Sequence, residues 1–201
     1  MVSEQIADRG ISDSKILQAF LRVERHLFVP ESWRQQAYHD SPLPIGQQQT
    51  ISQPYVIALM LSQLDLKPDH KVLEVGAGSG YVAALLATIC KDVFTIEHVP
   101  DLADAAARRL SKLGYQQVQV KCGDGCLGWP EEAPFDRIIA SAAAKDIPRE
   151  LIKQLKIGGK LILPFGEAEQ KLLLLHKTDT GIKEQDLGKV AFVPLVDNDA
   201  G

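Results

Sequence analysis

Residues 72–80, reading Val-Leu-Glu-Val-Gly-Ala-Gly-Ser-Gly, constrain this chain more than any other stretch. A short apolar run enters a turn with glycine at positions 76, 78 and 80, and residues 81–89 continue as an apolar, helix-competent segment. Strand, tight turn and helix form the opening unit of a nucleotide-binding α/β fold. Glycine suits such a turn because the backbone needs positive φ and a ligand must come close to it. Glu74 stands two positions before the first glycine. A dinucleotide would bring its pyrophosphate to this turn, where a nearby carboxylate repels it. A ligand carrying an ammonium and a sulfonium is attracted instead. Tyr81 also stands where a dinucleotide fingerprint wants Gly or Ala. The loop, with Gly76, Ala77, Gly78 and Gly80, is therefore read as a site for S-adenosyl-L-methionine.

From residue 71 the pattern alternates between strand and helix. Strands are predicted at 72–75, 93–97, 118–122, 135–140 and 160–164, and helices at 81–89, 100–113 and 148–155. Gly158 and Gly159 are expected to end the last helical unit. Segments 171–177 and 190–193, separated by a turn near Thr180 and Gly181, are expected to pair antiparallel. Continuous apolar strands such as Arg137-Ile-Ile-Ala fit a sheet covered on both faces. The fold class is α/β: a doubly wound, mostly parallel Rossmann-like sheet with helices on both faces and antiparallel strands near the C-terminus.

The first 66 residues differ in texture. Ser12 or Asp13 could cap a helix whose apolar positions are Ile16, Leu17, Phe20, Leu21 and Val23. Residues 41–54 carry three prolines among polar residues and are expected to be a loop. A second helix is predicted over 54–64, with Ser52 near its N-cap. One domain spanning residues 1–201 is expected, with a helical extension over 1–66 and the cofactor-binding core over 67–196; 201 residues suffice for one sizeable core.

Three acidic residues follow successive strands: Glu74, Glu97 and Asp124. In open α/β sheets the ligand lies beyond the carboxyl ends of the strands. Glu97 comes about 20 positions after Gly76, where an acidic residue that accepts ribose hydroxyls is expected. Asp124, within Gly123-Asp124-Gly125, could take the adenine amino group, and His98 could touch the adenine edge.

Net charge is −4, which gives no electrostatic case for nucleic acid. No run reaches the roughly 18 apolar residues of a membrane span, and the first ten residues have neither the basic start nor the apolar centre of a signal peptide. Three cysteines make no disulfide framework, so a reducing cytoplasm is expected. Cys122 and Cys126 bracket the Gly-Asp-Gly turn without the further ligands a tetrahedral metal site needs, so no metal is expected.

The glycine loop resembles the first motif of class I S-adenosylmethionine-dependent methyltransferases. Further segments resemble the protein-L-isoaspartate O-methyltransferase family: Phe28-Val-Pro30, the run from Pro42 to Pro54 with Thr50-Ile-Ser-Gln-Pro54, Gly123-Asp-Gly125, the run from Leu155 to Gly166, and Phe192-Val-Pro-Leu195. The resemblance covers about residues 10–196. It implies methyl transfer to the free α-carboxylate of L-isoaspartyl residues in damaged peptides and proteins, leaving S-adenosyl-L-homocysteine and an ester that collapses through a succinimide towards aspartate.

Residue by residue, the resemblance implies Ser52 as the active-site serine. It implies Ile45, Gly46, Gln47, Ser52, Val193 and Val196 as substrate contacts, and adds Thr50 to the cofactor set. Two positions depart from the pattern. The bacterial family usually has Gly-Gln-Gly-Gln before Thr-Ile-Ser, whereas this chain has Gln48 at the third position. Some relatives carry a hydroxyl residue after Val-Pro-Leu, where this chain has Val196. A monomer acting without nucleic acid or membrane is expected.

The implied chemistry needs no general base, because a carboxylate with pKa near 4 is ionised at neutral pH. No His, Cys or Lys stands beside the glycine loop to serve as one. Two alternatives differ in kind. One is a methyltransferase for another small-molecule or nucleic-acid acceptor; base methylation favours an Asn/Asp-Pro-Pro-aromatic motif after the fourth strand, where this chain has Ala140-Ser-Ala-Ala-Ala144. The other is a non-catalytic nucleoside-binding relative, which fold alone does not exclude.

Overall fold

The computed structural model describes residues 1–195. Helix α1 spans Ser14–Arg22, capped by Asp13, whose carboxylate accepts from the Lys15 amide. Ile16, Ala19 and Phe20 are buried, but Leu21 is 61% exposed. At 100° per residue Leu21 lies well round the helix from Ile16 and leaves the buried stripe. Tight 3-10 turns follow at Arg25–Phe28 and Glu31–Gln36.

The stretch expected as a plain loop contains a hairpin, β1 (Leu43–Gly46) paired antiparallel with β2 (Gln49–Ile51). Its two-residue tip places Gln47 and Gln48 at φ 51° and 57°. Two successive left-handed residues match a hairpin turn that follows strand twist, a geometry usually met by Asn or Gly. Helix α2 spans Pro54–Gln63, and its N-cap is Gln53 rather than Ser52, with no side-chain cap bond.

The main sheet has seven strands: β3 (Lys71–Val75), β4 (Asp92–Glu97), β5 (Val118–Cys122), β6 (Phe135–Ala140), β7 (Leu155–Phe165), β8 (Gln170–Thr178) and β9 (Gly181–Val190). Their order is β5-β4-β3-β6-β7-β8-β9. Pairings from β5 to β7 are parallel, and β7-β8 and β8-β9 are antiparallel. Helices α3 (Tyr81–Ala87), α4 (Pro100–Lys112) and α5 (Arg149–Lys153) connect the parallel strands. The order reverses at β3, which opens a crevice beyond the carboxyl ends of β3 and β6.

Two boundaries differ from expectation. Strand β7 begins at Leu155, so Gly158 and Gly159 lie inside it. A Cβ on Gly159 would stand 2.8 Å from the Lys156 carbonyl, so the glycine serves a close backbone approach within the strand. The last strand is β9, which starts just after the turn and ends where the expected strand began. Its exposed positions alternate too little in hydrophobicity to register as a strand; pairing to β8 defines it.

Alternation along the strands splits the interior in two. Val72, Val93, Ile139 and Ile162 face a cluster that includes α1, α2, α3 and the N-terminal turns. Leu73, Phe94, Ile138 and Leu161 face the other side, against Leu151 of α5 and Trp129. The N-terminal extension is thus packed over one face of the sheet, beside the carboxyl end of β3.

Candidate functional site

The glycine turn leaves β3 and is tied to β4, since the amides of Gly76 and Ala77 both donate to the Ile96 carbonyl (2.8 and 3.1 Å). Gly78 (φ 52°) passes under the hairpin, where an added Cβ would sit 3.2 Å from the Ile45 side chain. Gly80 (φ 85°) begins α3 and packs on Leu110, also at 3.2 Å from an added Cβ. Arg109 of α4 donates to the Ser79 carbonyl at 2.7 Å and clamps the turn from outside. Glycine at 78 and 80 therefore meets positive φ and close contact together.

Glu97, at the end of β4, is 6% exposed. One carboxylate oxygen accepts from the Gly78 amide (2.7 Å) and the other from the Val99 amide (3.0 Å). Both bonds fix the carboxylate at the mouth of the turn and leave lone pairs for a ligand.

Glu74 is fully buried in the cavity wall. Its Oε2 accepts from Thr95 Oγ1 at 2.6 Å, and Oε1 has no hydrogen-bond partner. Burial pushes its pKa from 4.5 up to about 8; the Thr95 bond opposes this, and the charge on Glu97 adds to it. At neutral pH the unliganded protein therefore holds Glu74 mainly as the neutral acid. The sequence reading gave this residue a fixed charge, and desolvation removes it.

These groups line a cavity of about 760 Å³ including its mouth, walled by the glycine turn, Glu97, His98, Gly125, Tyr81 and the β2 residues Thr50 and Ile51. Gly123 and Asp124 do not form its wall. Gly123 donates to the Glu97 carbonyl (2.9 Å), and Asp124 caps the 3-10 turn Gly125–Leu127 by accepting from the Cys126 amide at 2.8 Å. Gly80 lies behind the wall, against α4.

A second hollow, of about 1190 Å³ including its mouth, is lined by Pro42, Val56, Lys189, Phe192 and neighbours. Thr50, Ser52, Ser141 and Val193 belong to both cavities and mark where they join. The segment after β9 forms one side of the hollow. Ala143 donates to the Val193 carbonyl and accepts from the Leu195 amide (both 2.8 Å), and Gln170 bonds both the amide and the carbonyl of Phe192.

The other expected substrate contacts sit on the hairpin. Ile45 covers Gly78, while Gly46 and Gln47 stand outside both cavity walls. Gln47 Nε2 donates to Asp101 at 3.1 Å, which fastens the hairpin tip to α4. Val196 lies outside the described residues.

Sequence reasoning missed Ser141, Tyr81 and Lys189. Ser141 directly follows β6, the strand paired to β3, and the rule that ligands gather at strand ends could have found it. Nothing local marks Lys189. Among the described residues no group of three His, Cys, Asp or Glu could hold a metal, and no helix is long and apolar enough to cross a membrane.

A parallel sheet that finishes antiparallel, a triple-glycine turn after β3 and a buried acid at the end of β4 define the fold of S-adenosyl-L-methionine-dependent methyltransferases. Comparison with known proteins narrows the class. The model of the protein-L-isoaspartate(D-aspartate) O-methyltransferase family matches residues 1–200, and the chain belongs to that family. It is 49% identical over 197 residues to protein-L-isoaspartate O-methyltransferase 1 of Syntrophobacter fumaroxidans, covering 98% of this chain and 92% of the relative. It is 50% identical over 200 residues to the Syntrophus aciditrophicus protein-L-isoaspartate O-methyltransferase, with the same coverages. Among solved structures, a protein-L-isoaspartate O-methyltransferase superposes with a TM-score of 0.90 at 29% identity, covering 98% of this chain and 67% of that one. A Plasmodium falciparum structure of the same family, in complex with S-adenosyl-L-homocysteine, gives 0.86 at 29% identity, covering 98% and 97%.

Proposed function

We infer that this chain transfers a methyl group from S-adenosyl-L-methionine to the free α-carboxylate of L-isoaspartyl residues in peptides and proteins. The observation that carries this reading is the junction of two cavities at Ser52, one walled by the glycine turn and Glu97 and the other by Pro42, Val56 and Phe192. Family membership supplies the reaction, and the junction gives donor and acceptor a place to meet. Membership also disfavours both alternatives, another acceptor or a non-catalytic role.

The donor cavity offers polar groups that suit this cofactor. Glu97, oriented by its two amide bonds, could accept from ribose hydroxyls, and His98 lines the same cavity. The free oxygen of Glu74 is a buried acceptor in the wall. A cationic ligand nearby would favour its ionised form. When bound, the cofactor supplies an electrophilic methyl on sulfur.

The acceptor carboxylate is ionised at neutral pH and attacks directly. A carbon–oxygen bond forms as the carbon–sulfur bond breaks, and no proton moves. Catalysis then rests on holding the carboxylate in line with the methyl. Ser52 Oγ makes no hydrogen bond within the described residues and is available to donate to it. Thr50 and Val193 border the same junction. The chain is proposed to act as a single-domain monomer in a reducing cytoplasm; its cysteines are free.

Labelled methyl transfer to an isoaspartyl peptide, against the matching aspartyl peptide, tests the assignment. A base-labile ester on the isoaspartyl peptide alone is expected, and the absence of any such ester refutes it. Ser52→Ala is expected to lower kcat while the affinity for S-adenosyl-L-homocysteine holds. Unchanged turnover would remove Ser52 from the site.

A further inference from the structure

Arg25 is 0% exposed, and no carboxylate forms an ion pair with it among the described residues. Burying a charge in this way is strongly unfavourable unless hydrogen bonds compensate, and an apolar residue of similar volume would fill the space more readily. Three contacts hold the guanidinium, and its Nη1 is buried with no hydrogen-bond partner among the described residues. Nε donates to the Ala37 carbonyl at 2.8 Å, and Nη2 donates to the Ser52 carbonyl at 2.8 Å. Its carbon lies 5.1 Å from the centre of the Tyr81 ring.

These contacts join parts of the molecule that the reaction must hold in register. Tyr81 is the first residue of α3, directly after Gly80, and it borders the donor cavity. Phe20 and Phe28 pack edge-on against it from the N-terminal extension. Ser52 stands at the junction of donor and acceptor cavities. Behind the next residues, Asp40 accepts from Gln53 Nε2 (2.7 Å) and from the Tyr55 amide (3.2 Å), and is itself held by Arg9 at 2.8 Å. Burial drives the Arg25 pKa down to about 10, which leaves the group charged at neutral pH. A charged donor makes a stronger bond to a carbonyl than a neutral one does, and a planar fork fixes direction as well as distance.

We propose that Arg25 is a positioning residue for methyl transfer: its guanidinium, reaching from the Ser52 carbonyl to the Tyr81 ring, sets where the Ser52 segment stands relative to the glycine turn. It touches neither donor nor acceptor. The hairpin that precedes Ser52 buries only Leu43 and Ile51 of its own strands, and the Ser52 carbonyl ties the chain just beyond it to Arg25. The proposal rests on the placing of the reaction at Ser52, and the test separates the two.

The test compares Arg25→Met, Arg25→Lys, Ser52→Ala and the Arg25→Met/Ser52→Ala double variant in the full-length chain. Steady-state kinetics with an isoaspartyl peptide is read beside calorimetric binding of S-adenosyl-L-homocysteine and thermal unfolding. Arg25→Met is expected to lower kcat by about tenfold or more, the scale on which misplacement acts, while cofactor-product affinity stays within about threefold. Arg25→Lys keeps the charge without the fork and is expected to fall between. If Arg25 acts through the Ser52 segment, the double variant is little slower than the slower single variant, because effects within one unit do not multiply.

A folded Arg25→Met with wild-type kcat overturns the proposal whatever Ser52→Ala does. So does wild-type kcat in Arg25→Lys should the Met variant not fold. Equal losses of kcat and of S-adenosyl-L-homocysteine affinity, tracking the fall in Tm, also overturn it by assigning Arg25 a general structural role. Wild-type turnover in Ser52→Ala beside a slow Arg25→Met refutes the role of the Ser52 hydroxyl and supports Arg25, which grips the backbone.

Discussion

Replacing Glu74 by Gln, the isostere of its neutral form, is expected to flatten the pH dependence of stability. In the wild type, burial raises the pKa from 4.5 to about 8. Between those values the folded protein holds a proton that the unfolded chain has released, so stability falls as pH rises. The contribution is fully present below about pH 4.5 and is lost as pH passes through about 8. At about 1.4 kcal/mol per pH unit, flattening near the upper pKa, the wild type loses about 2 kcal/mol between pH 6 and pH 8 from this group. The Glu74→Gln variant has no such proton and keeps both the contact to Thr95 and the volume of the side chain. For a chain of this size, 2 kcal/mol corresponds to roughly 4–8 °C in Tm. Urea or thermal unfolding of both proteins at several pH values gives the comparison, and other titrating groups cancel in the difference. Parallel profiles for the two proteins would show that Glu74 is ionised in the fold and would refute the desolvation reasoning.

Glu97→Ala removes the carboxylate that bonds the Gly78 and Val99 amides; calorimetry is expected to show S-adenosyl-L-homocysteine binding weakened by at least about tenfold, on the scale of a charged hydrogen bond. Gln48→Gly relieves a left-handed residue at the hairpin tip (φ 57°). It is expected to stabilise by about 0.5–1 kcal/mol, since the strain removed exceeds the added chain entropy, and denaturant titration that shows a loss would contradict the turn geometry. Asp101→Ala breaks the 3.1 Å bond from Gln47 and is expected to speed proteolysis within residues 43–51 with little change in Tm; an unchanged cleavage rate would show that the tip needs no latch. Leu73→Ala, at a fully buried position of β3, is expected to destabilise by about 2–5 kcal/mol in urea unfolding.

The sheet was legible because its signals are local. Apolar runs of strand length, alternating with helical spacing, give five parallel strands and their helices close to the observed bounds, apart from the early start of β7. Strand-end acids were found by the same register, and Glu97 stands at the cavity mouth. Asp124 also stands at a strand end, and its Oδ1 caps the 3-10 turn that follows, a local bond the sequence reading did not assign. Strand β9 was misplaced because nearly all its residues are exposed, so no hydrophobic period marks it.

By itself, the sequence determined the parallel core, the glycine turn and, through its likeness to one family, the reaction. These rest on periodicity and on short motifs that act within a few residues. Tertiary structure decided which groups are charged and what holds them. Glu74 keeps a proton because the walls of the sheet exclude water from it, although the Thr95 bond favours the ionised form. Residues 43–51 form a hairpin pinned to α4 at Asp101, and Phe192 and Val193 line the second hollow where the chain crosses to Ala143. Arg25 reaches Ser52 and Tyr81 across separate segments of the chain. Desolvation and hydrogen-bond direction depend on neighbours far away in sequence, and those neighbours meet only when the chain has folded.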